Sequence, residues 1–516
     1  MWGWGTAADE PRATDLDALA PAVHRTTGVD LQAPEAPAGL PELSASRRIG
    51  TLPARLQAVA STGVADRLRH GLGRSYRDVV RGLRGQVPHP ADVVLRPRTE
   101  DEVTEALEWA ARVGAPLVPF GGGTSVVGGV EPIGLDAPVS LDLTRMAGLV
   151  EVDSTSRAAR LRAGTRGPDA EAALAEHGLT LRFYPQSFEQ STVGGWVATR
   201  AAGHFSTGST HVDDLVESVR AVTGAGVWES RRLPGSGAGP SPDRLLLGSE
   251  GTLGVVTEAW LRAQPRPVHR WSAVLGAPDL AAGGRAVRAV LQAGLTPATC
   301  RLVDAAESAL SGLLATDETA LLLGFESVYA PVDGDAAAAL ELCRAAGLRV
   351  IESGDRGSSS QAWRSTFLRA PYLRESLVLL GVLVETFETA VPWDRFDELV
   401  ARVSTDVGDA LRRVCGGGRV TCRTTHAYVD GVAPYFTVLA PARRGSEVAQ
   451  WDEVKAAASD ALAACGGTIT HHHAVGRDHR RWYDAQRPEP FAVALRGAKG
   501  ALDPAGVLNP GVLLPG

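Results

Sequence analysis

The sequence predicts an α+β fold built as two principal domains, and three features carry that expectation. Strand-like apolar runs alternate with amphipathic helical stretches from residue 91 onward. After residue 268 the alternation lengthens into repeats of strand, long helix and strand. Between the two regions lies Gln264-Pro265-Arg266-Pro267, and closely spaced prolines commonly mark where one unit ends. With 516 residues, 44% of them hydrophobic and 22% charged, the chain has ordinary globular composition and can bury more than one core.

Residues 1–90 are rich in Pro, Ala and Arg, and patterns such as LPARLQAVASTGVADRLRHGL read as short helices of an accessory region. At residues 91–267 DVVLRP reads as a buried strand, and TEDEVTEALEWAARVG as a helix with Thr99 and its acids at the N-terminal end. APLVPF follows as a second strand. VSLDLTRM, LVEVDSTSRAARLRAG and PDAEAALAEHG continue this mixed first domain, which closes through the loop LPGSGAGPSPD and GSEGTLGVVTEAWLRAQPRP. Residues 268–460 run WSAVLGA, DLAAGGRAVRAVLQAG, TPATCRLVD, ALLLGFES and GDAAAALELCRAAG, a second domain with helices packed on one side of a sheet. Residues 461–516 form a returning segment whose helix and Pro/Gly-punctuated end dock on the first domain. No fixed-period repeat is present.

Several classes are excluded early. Of 52 basic side chains only Lys455 and Lys499 are lysines, and neither follows a glycine, so there is no Walker A loop. Schiff-base chemistry is left with two candidate amines. A net charge of −7 argues against nucleic acid as a partner, because phosphates need a basic surface. Five scattered cysteines without a CxxC pair fit a reducing compartment and lack zinc spacing. Acids precede any apolar run at the N-terminus, and Leu377 to Val384 is too short to span a bilayer. The expected location is cytoplasmic, with peripheral membrane contact and a homodimer left open.

Three small-residue polar loops stand out in the first domain. Pro119-Phe120-Gly121-Gly122-Gly123-Thr124-Ser125 directly follows a strand, and its glycines allow successive N–H groups to face one anion. A tight turn is the plainer account of a single Gly triplet, and the spacing is not that of a Rossmann fingerprint. The second loop places Gln186, Ser187, Ser191 and Thr192 before Gly194-Gly195 and runs on to Thr199, Arg200, Ala201 and Ala202. The third is Glu250-Gly251-Thr252-Leu253-Gly254-Val255-Val256. Together they suit an extended polar cofactor lying along backbone.

In this order PFGGGTS, STVGGW with TRAAG, and GSEGTLGVVTEA resemble the FAD-binding domain of the vanillyl-alcohol oxidase type of flavoprotein. Within it the chain resembles the alkyldihydroxyacetonephosphate synthase family, through WGWG at Trp2 to Gly5, RLVD at 301–304, YLRES at 372–376 and ETFETAVPWDR at 385–395. TCRTTHAYVDG at 421–431 and HHHAVGRDHRRWY at 471–483 extend the match. The resemblance implies an FAD-binding domain of that type with a second α+β cap domain. It also implies noncovalent FAD, since covalent relatives commonly carry a histidine where this chain has GGGTS.

His471, His472 and His473 cannot all face one metal ion from a strand or helix, and no carboxylate lies beside them at ligand spacing, so no metal is expected. A solvated turn is one account; proton exchange or binding of an anion near neutral pH is another. The resemblance favours the latter, since the family carries such a loop and needs it for activity. It likewise implies that Tyr435, otherwise a plain core aromatic, is the catalytic acid, that Arg374 lies over the flavin and contacts substrate, and that Arg301 is needed for activity. A dianionic phosphate needs donors, and Arg301 is the one expected to supply them. Arg477 and Arg480 read either as a solvated charge run or as part of a phosphate pocket. The sequence departs from the family at Thr437, where an aromatic is usual, and at His426, where glutamine is.

The implied reaction exchanges the acyl group of acyl-dihydroxyacetone phosphate, a lipid phosphate, for a fatty alcohol. It would pass through a covalent adduct at flavin N5 with no net redox change. The rival expectation is an FAD-dependent D-2-hydroxy-acid dehydrogenase or oxidase of the same fold.

Overall fold

In the computed structural model the described residues are 3–5, 7–208, 210–311, 313–314, 318–354 and 358–516, so Trp2 of WGWG lies outside them. Strand Val139–Asp142 lies between the parallel strands Val93–Leu95 and Leu117–Phe120. All three residues of Val93–Leu95 are buried, as in a sheet covered on both faces. Helix Glu100–Val113 begins at Thr99, whose hydroxyl accepts from the Glu102 N–H at 3.3 Å, and ends at Gly114 in the left-handed region (φ 62°). It buries Val103, Ala106, Leu107, Trp109 and Ala110 against the sheet.

The stretch 52–72 is not continuously helical. Helices Ala54–Gln57 and Val64–Arg69 flank the strand Ala60–Ser61, whose residues pair with Leu95 and Val94. Sheet pairing there overrides helical propensity, because a free edge beside the buried strand would leave backbone groups unmade. A second sheet of five antiparallel strands runs Leu149–Asp153, Ala158–Arg162, Val255–Arg262, Val216–Thr223, Gly226–Glu229 in space. Both sheets share one core, which Val507, Leu508, Val512, Leu513 and Leu514 of the tail complete. The tail docks through backbone: Leu117 N–H donates to Val507 O at 2.8 Å and Asn509 N–H to Leu117 O at 2.9 Å.

The second region is an eight-stranded sheet whose main path runs Arg349–Gly354, His269–Ala277, Thr319–Ser327, Thr299–Val303, Arg419–Ala427, Gly431–Pro441, Val382–Glu388. Strand alternation divides its faces. On Gly431–Pro441, Phe436, Val438 and Ala440 pack with Leu399, Val403 and Val407 of helix Phe396–Cys415, while Tyr435, Thr437 and Leu439 face the opposite way onto a cavity. Helix Tyr76–Leu83, from the N-terminal region, buries Tyr76, Val79, Val80 and Leu83 in this same core. Residues 1–90 therefore contribute to both halves of the molecule. Neither lysine is available to a ligand on this architecture. Lys455 pairs with Glu385 at 2.7 Å in the core, and Lys499 Nζ donates to Asp503 Oδ2 at 2.6 Å and to the Thr252 and Leu508 carbonyls.

Candidate active site

Loops of the first region and the eight-stranded sheet of the second face each other across a cavity of about 490 Å³. One wall is made by the three loops. At Gly122 an added Cβ would lie 2.0 Å from the Gln190 carbonyl oxygen and at Gly121 2.3 Å from Thr192 Oγ1, so no side chain fits there. Gly251, with φ at 74°, lies against Pro119, where a Cβ would come within 2.8 Å of the ring. Among the described residues no protein acceptor pairs with the N–H groups of 121–126. Free N–H donors in a cradle too close for side chains form an anion-binding concavity. Thr192 caps helix Val193–Thr199, and Ser191 Oγ accepts from Trp196 Nε1 at 2.8 Å, which fixes the second loop beside the first. Asn509 adds an amide whose Nδ2 donates to the Gly129 and Glu250 carbonyls, leaving Oδ1 buried without a partner on the cavity wall. These groups fit the pyrophosphate and polar edges of a dinucleotide.

Pro119 to Ser125, Gln186, Ser187, Ser191, Thr192, Thr199, Ala201, Ala202, Glu250, Gly251, Gly254 and Val256 all line the cavity. Arg200, Thr252, Leu253 and Val255 do not. Arg200 is exposed and its guanidinium lies on Asp213 at 2.7 Å. Leu253 and Val255 point into the core, and the Thr252 hydroxyl is spent on the Ser249 carbonyl at 2.7 Å.

The triple-histidine loop is held by two carboxylates from different halves of the molecule. Glu388, buried at the end of strand Val382–Glu388, accepts the N–H groups of His471, His472 (3.1 Å) and His473 (2.8 Å), and the Thr470 hydroxyl at 2.7 Å. Burial alone would raise this carboxyl, but the His472, His473 and His471 rings and Thr470 hold it well below the usual carboxylate range. Glu250 accepts the Val475 and Gly476 N–H groups, each at 2.9 Å, and burial pushes it up to about 7 against those two donors.

With the backbone clamped, the rings fan out. His472 and His473 reach the cavity, while His471 turns into a cluster with His211, His426 and Tyr428. Burial keeps all three neutral near pH 7, holding His472 at about 3 and His473 at about 4 against the pull of Glu388. A carboxylate does therefore stand beside the histidines, brought from 83 residues away along the chain. Possible ligand atoms of His426, His471 and His472, and of Glu388, His472 and His473, lie within 4.8 Å of one another. The N–H donors already on both Glu388 oxygens make a hydrogen-bonded network the better account.

Tyr435 is buried opposite these rings, 6.1 Å from His472 and 5.6 Å from His473 between centroids. Burial raises its hydroxyl, with Arg423 pulling the other way. The Arg423 guanidinium lies 4.0 Å over the Tyr435 ring and pairs with Glu307. Arg374 lines the same region and donates to the Arg74 carbonyl at 2.5 Å. Arg301 does not line the cavity. It lies behind the wall, bonded to the His204 carbonyl, and burial with the nearby Arg423 holds it down at about 9. Arg477 and Arg480 form neither a solvated run nor a phosphate pocket, since they bind the Pro510 and Gly511 carbonyls and tie down the tail. Sequence reasoning missed Arg423, Glu388, His211, Tyr428 and Asn509. Arg423, Tyr428 and Glu388 lay inside quoted motifs, and only the side-chain alternation of the strands carrying Arg423 and Glu388 signalled a role.

Residues 91–230 match the FAD binding domain family, and residues 266–513 match the family of FAD linked oxidases, C-terminal domain. The two matches together span most of the chain and identify it as an FAD-dependent flavoprotein. FAD is its cofactor. It is 28% identical over 478 residues to the alkyldihydroxyacetonephosphate synthase of Dictyostelium discoideum, covering 87% of this chain and 77% of that one. It is 24% identical over 432 residues to glycolate oxidase subunit GlcD of Bacillus subtilis, covering 81% and 88%. A solved alkyldihydroxyacetonephosphate synthase superposes with a TM-score of 0.79 at 24% identity over 96% of this chain and 91% of the other, which establishes the fold. The chain is thus an FAD-dependent enzyme similar to the alkyldihydroxyacetonephosphate synthases.

Proposed function

We propose that this flavoenzyme is an ether-lipid synthase that exchanges the acyl group of an acyl-dihydroxyacetone phosphate for a long-chain alcohol. The observation that carries the reading is the two-ended cavity. Its polar end, at the cofactor cradle, holds Tyr435, His472, His473, Arg374 and Arg423. Four residues along the paired strands from Tyr435 and Glu388 the lining is apolar: Leu439 and Val384 are register partners and cluster with Leu19, Val23 and Leu377. A phosphate ester carrying a fatty chain fits such a site, whereas a small hydroxy acid leaves the apolar end unused.

Bound FAD would supply an electrophilic ring position that can hold the substrate carbon while the acyloxy group leaves, with no net redox change. The chain's own residues provide the rest. A neutral histidine, His472 or His473, takes the C1 proton, which the adjacent carbonyl makes acidic. Tyr435 keeps its proton at neutral pH because it is buried, and gives it to the departing oxygen. The Nε atoms of Arg374 and Arg423 are buried without a protein acceptor among the described residues, so both can receive the phosphate. The apolar end excludes water, which would otherwise hydrolyse the ester.

Incubation with acyl-dihydroxyacetone phosphate and labelled hexadecanol should give labelled ether. Tyr435→Phe should retain flavin and lose about 10²-fold or more of turnover. Unlabelled product from flavin-loaded protein rejects the synthase, and full activity in Tyr435→Phe rejects the role of the tyrosine. The similarity to a glycolate oxidase subunit supports a second reading, a 2-hydroxy-acid dehydrogenase, for which anaerobic glycolate or D-lactate should bleach the flavin.

A further inference from the structure

The ring cluster behind His472 is larger than the reaction requires. His472 reaches the cavity, but its Nδ1 lies 3.0 Å from Nδ1 of His471, which is outside the cavity lining. His471 Nε2 lies 2.7 Å from the Tyr428 hydroxyl and 3.1 Å from Nε2 of His211. The Tyr428 hydroxyl continues to Thr210 Oγ1 at 3.3 Å. Tyr428 is half-buried beside the exposed Val429, while the Nδ1 of His211 is buried with no partner among the described residues, so a proton that reached His211 would go no further. His426 stacks on His471 with centroids 4.9 Å apart but is no link in this chain, because its Nε2 meets the Gly203 carbonyl at 2.9 Å, which cannot pass a proton on.

We propose that His472, His471 and Tyr428 form a proton relay from the cavity to the protein edge, with His211 holding the His471 ring in place, resting on the reading that a histidine of this loop takes the substrate's proton. The hydrogen bonds permit a balanced transfer. A proton arriving at His472 Nε2 releases the Nδ1 proton to His471 Nδ1. His471 then releases its Nε2 proton to the Tyr428 oxygen as that hydroxyl passes its own proton to water at the half-exposed edge. His472 and His471 end neutral with tautomers exchanged, and one proton has left the cavity. Burial opposes a resident cation on His472, His471 and His211, which favours passage over storage. The residues come from both halves of the molecule, so the relay exists only when they are docked. His211 and Tyr428 touch no reacting atom and act through His471.

The test compares Tyr428→Phe, His211→Gln and the double variant. Because the outlet is Tyr428, Tyr428→Phe and the double variant should each lose about tenfold or more in turnover in dilute buffer, and His211→Gln only a few-fold. Added imidazole should restore the double variant and leave the KM for the lipid phosphate unchanged. The flavin-loaded protein, labelled with ¹⁵N in its histidines, gives a readout independent of turnover: changing Tyr428 and His211 should shift the His472 nitrogen signals through altered tautomer populations. Unmoved His472 signals, or a loss of turnover that imidazole does not restore, would overturn the relay. If wild type fails to make ether, the function proposed above is rejected, and the nitrogen signals still decide the relay.

Discussion

The two walls of the cavity are built in different ways. The cofactor wall is mostly backbone: glycines at 121–123 and 251, free N–H groups, and the capped helix Val193–Thr199, each within a short contiguous stretch. The opposite wall, where we place the substrate, is made of side chains that meet from distant parts of the chain: Arg374, Arg423, Tyr435, His472 and His473, with Glu388 behind them. A backbone wall is intolerant of any added atom. A side-chain wall depends on what holds the side chains in place.

That contrast can be broken most sharply at Gly122. Gly122→Ala should abolish flavin binding, because its Cβ would lie 2.0 Å from a backbone oxygen that cannot swing away. Flavin absorbance of the purified variant measures this, and normal occupancy would refute the backbone account. On the other wall, Glu388→Gln should spare flavin yet lower turnover about 10²-fold, since an amide cannot accept four donors as the carboxylate does. The accompanying stability loss, read by denaturant unfolding, should be about 2 kcal/mol.

A pH titration distinguishes the walls next. His473, held at about 4 when folded, takes up a proton on unfolding below its ordinary value of 6.5. Its contribution is therefore complete above that value and lost as the pH falls toward 4. Glu131, Glu250 and Glu375, each pushed up to about 7 by burial, run the opposite way. The histidine is accordingly read by difference: the stability gap between wild type and His473→Asn should narrow by about 2 kcal/mol between pH 7 and 5. The smallest effect is expected remote from both walls. Gly497 lies in helix Glu489–Leu502 with no atom within 4 Å of an added Cβ, so Gly497→Ala should raise stability by about 0.5–1 kcal/mol with flavin and turnover unchanged.

Legibility in the sequence followed the same division. The glycine loops could be read because each is local: the strand, the turn and the helix it leads into are consecutive residues. The RLVD motif points to Arg301 for phosphate, yet its strand register turns it behind the wall, and Arg423, the register partner of Tyr435, stands in the cavity instead. Glu388 appeared in the sequence as an acid at the end of a strand, with nothing to show that a loop 83 residues later would wrap around it.

By itself the sequence determined the α+β class and FAD as cofactor, and it located three small-residue loops in a chain whose two lysines leave arginine, histidine and backbone as the candidate anion donors. Those properties rest on local conformation and on composition, which no docking can alter. The tertiary structure alone decided which arginines reach the cavity, which histidines face it, and that the N-terminal helix Ala13–Thr27 supplies Leu19 and Val23 to its apolar end. Each of those depends on how sheets register and pack across hundreds of residues, where a shift of one position turns a side chain from cavity to core.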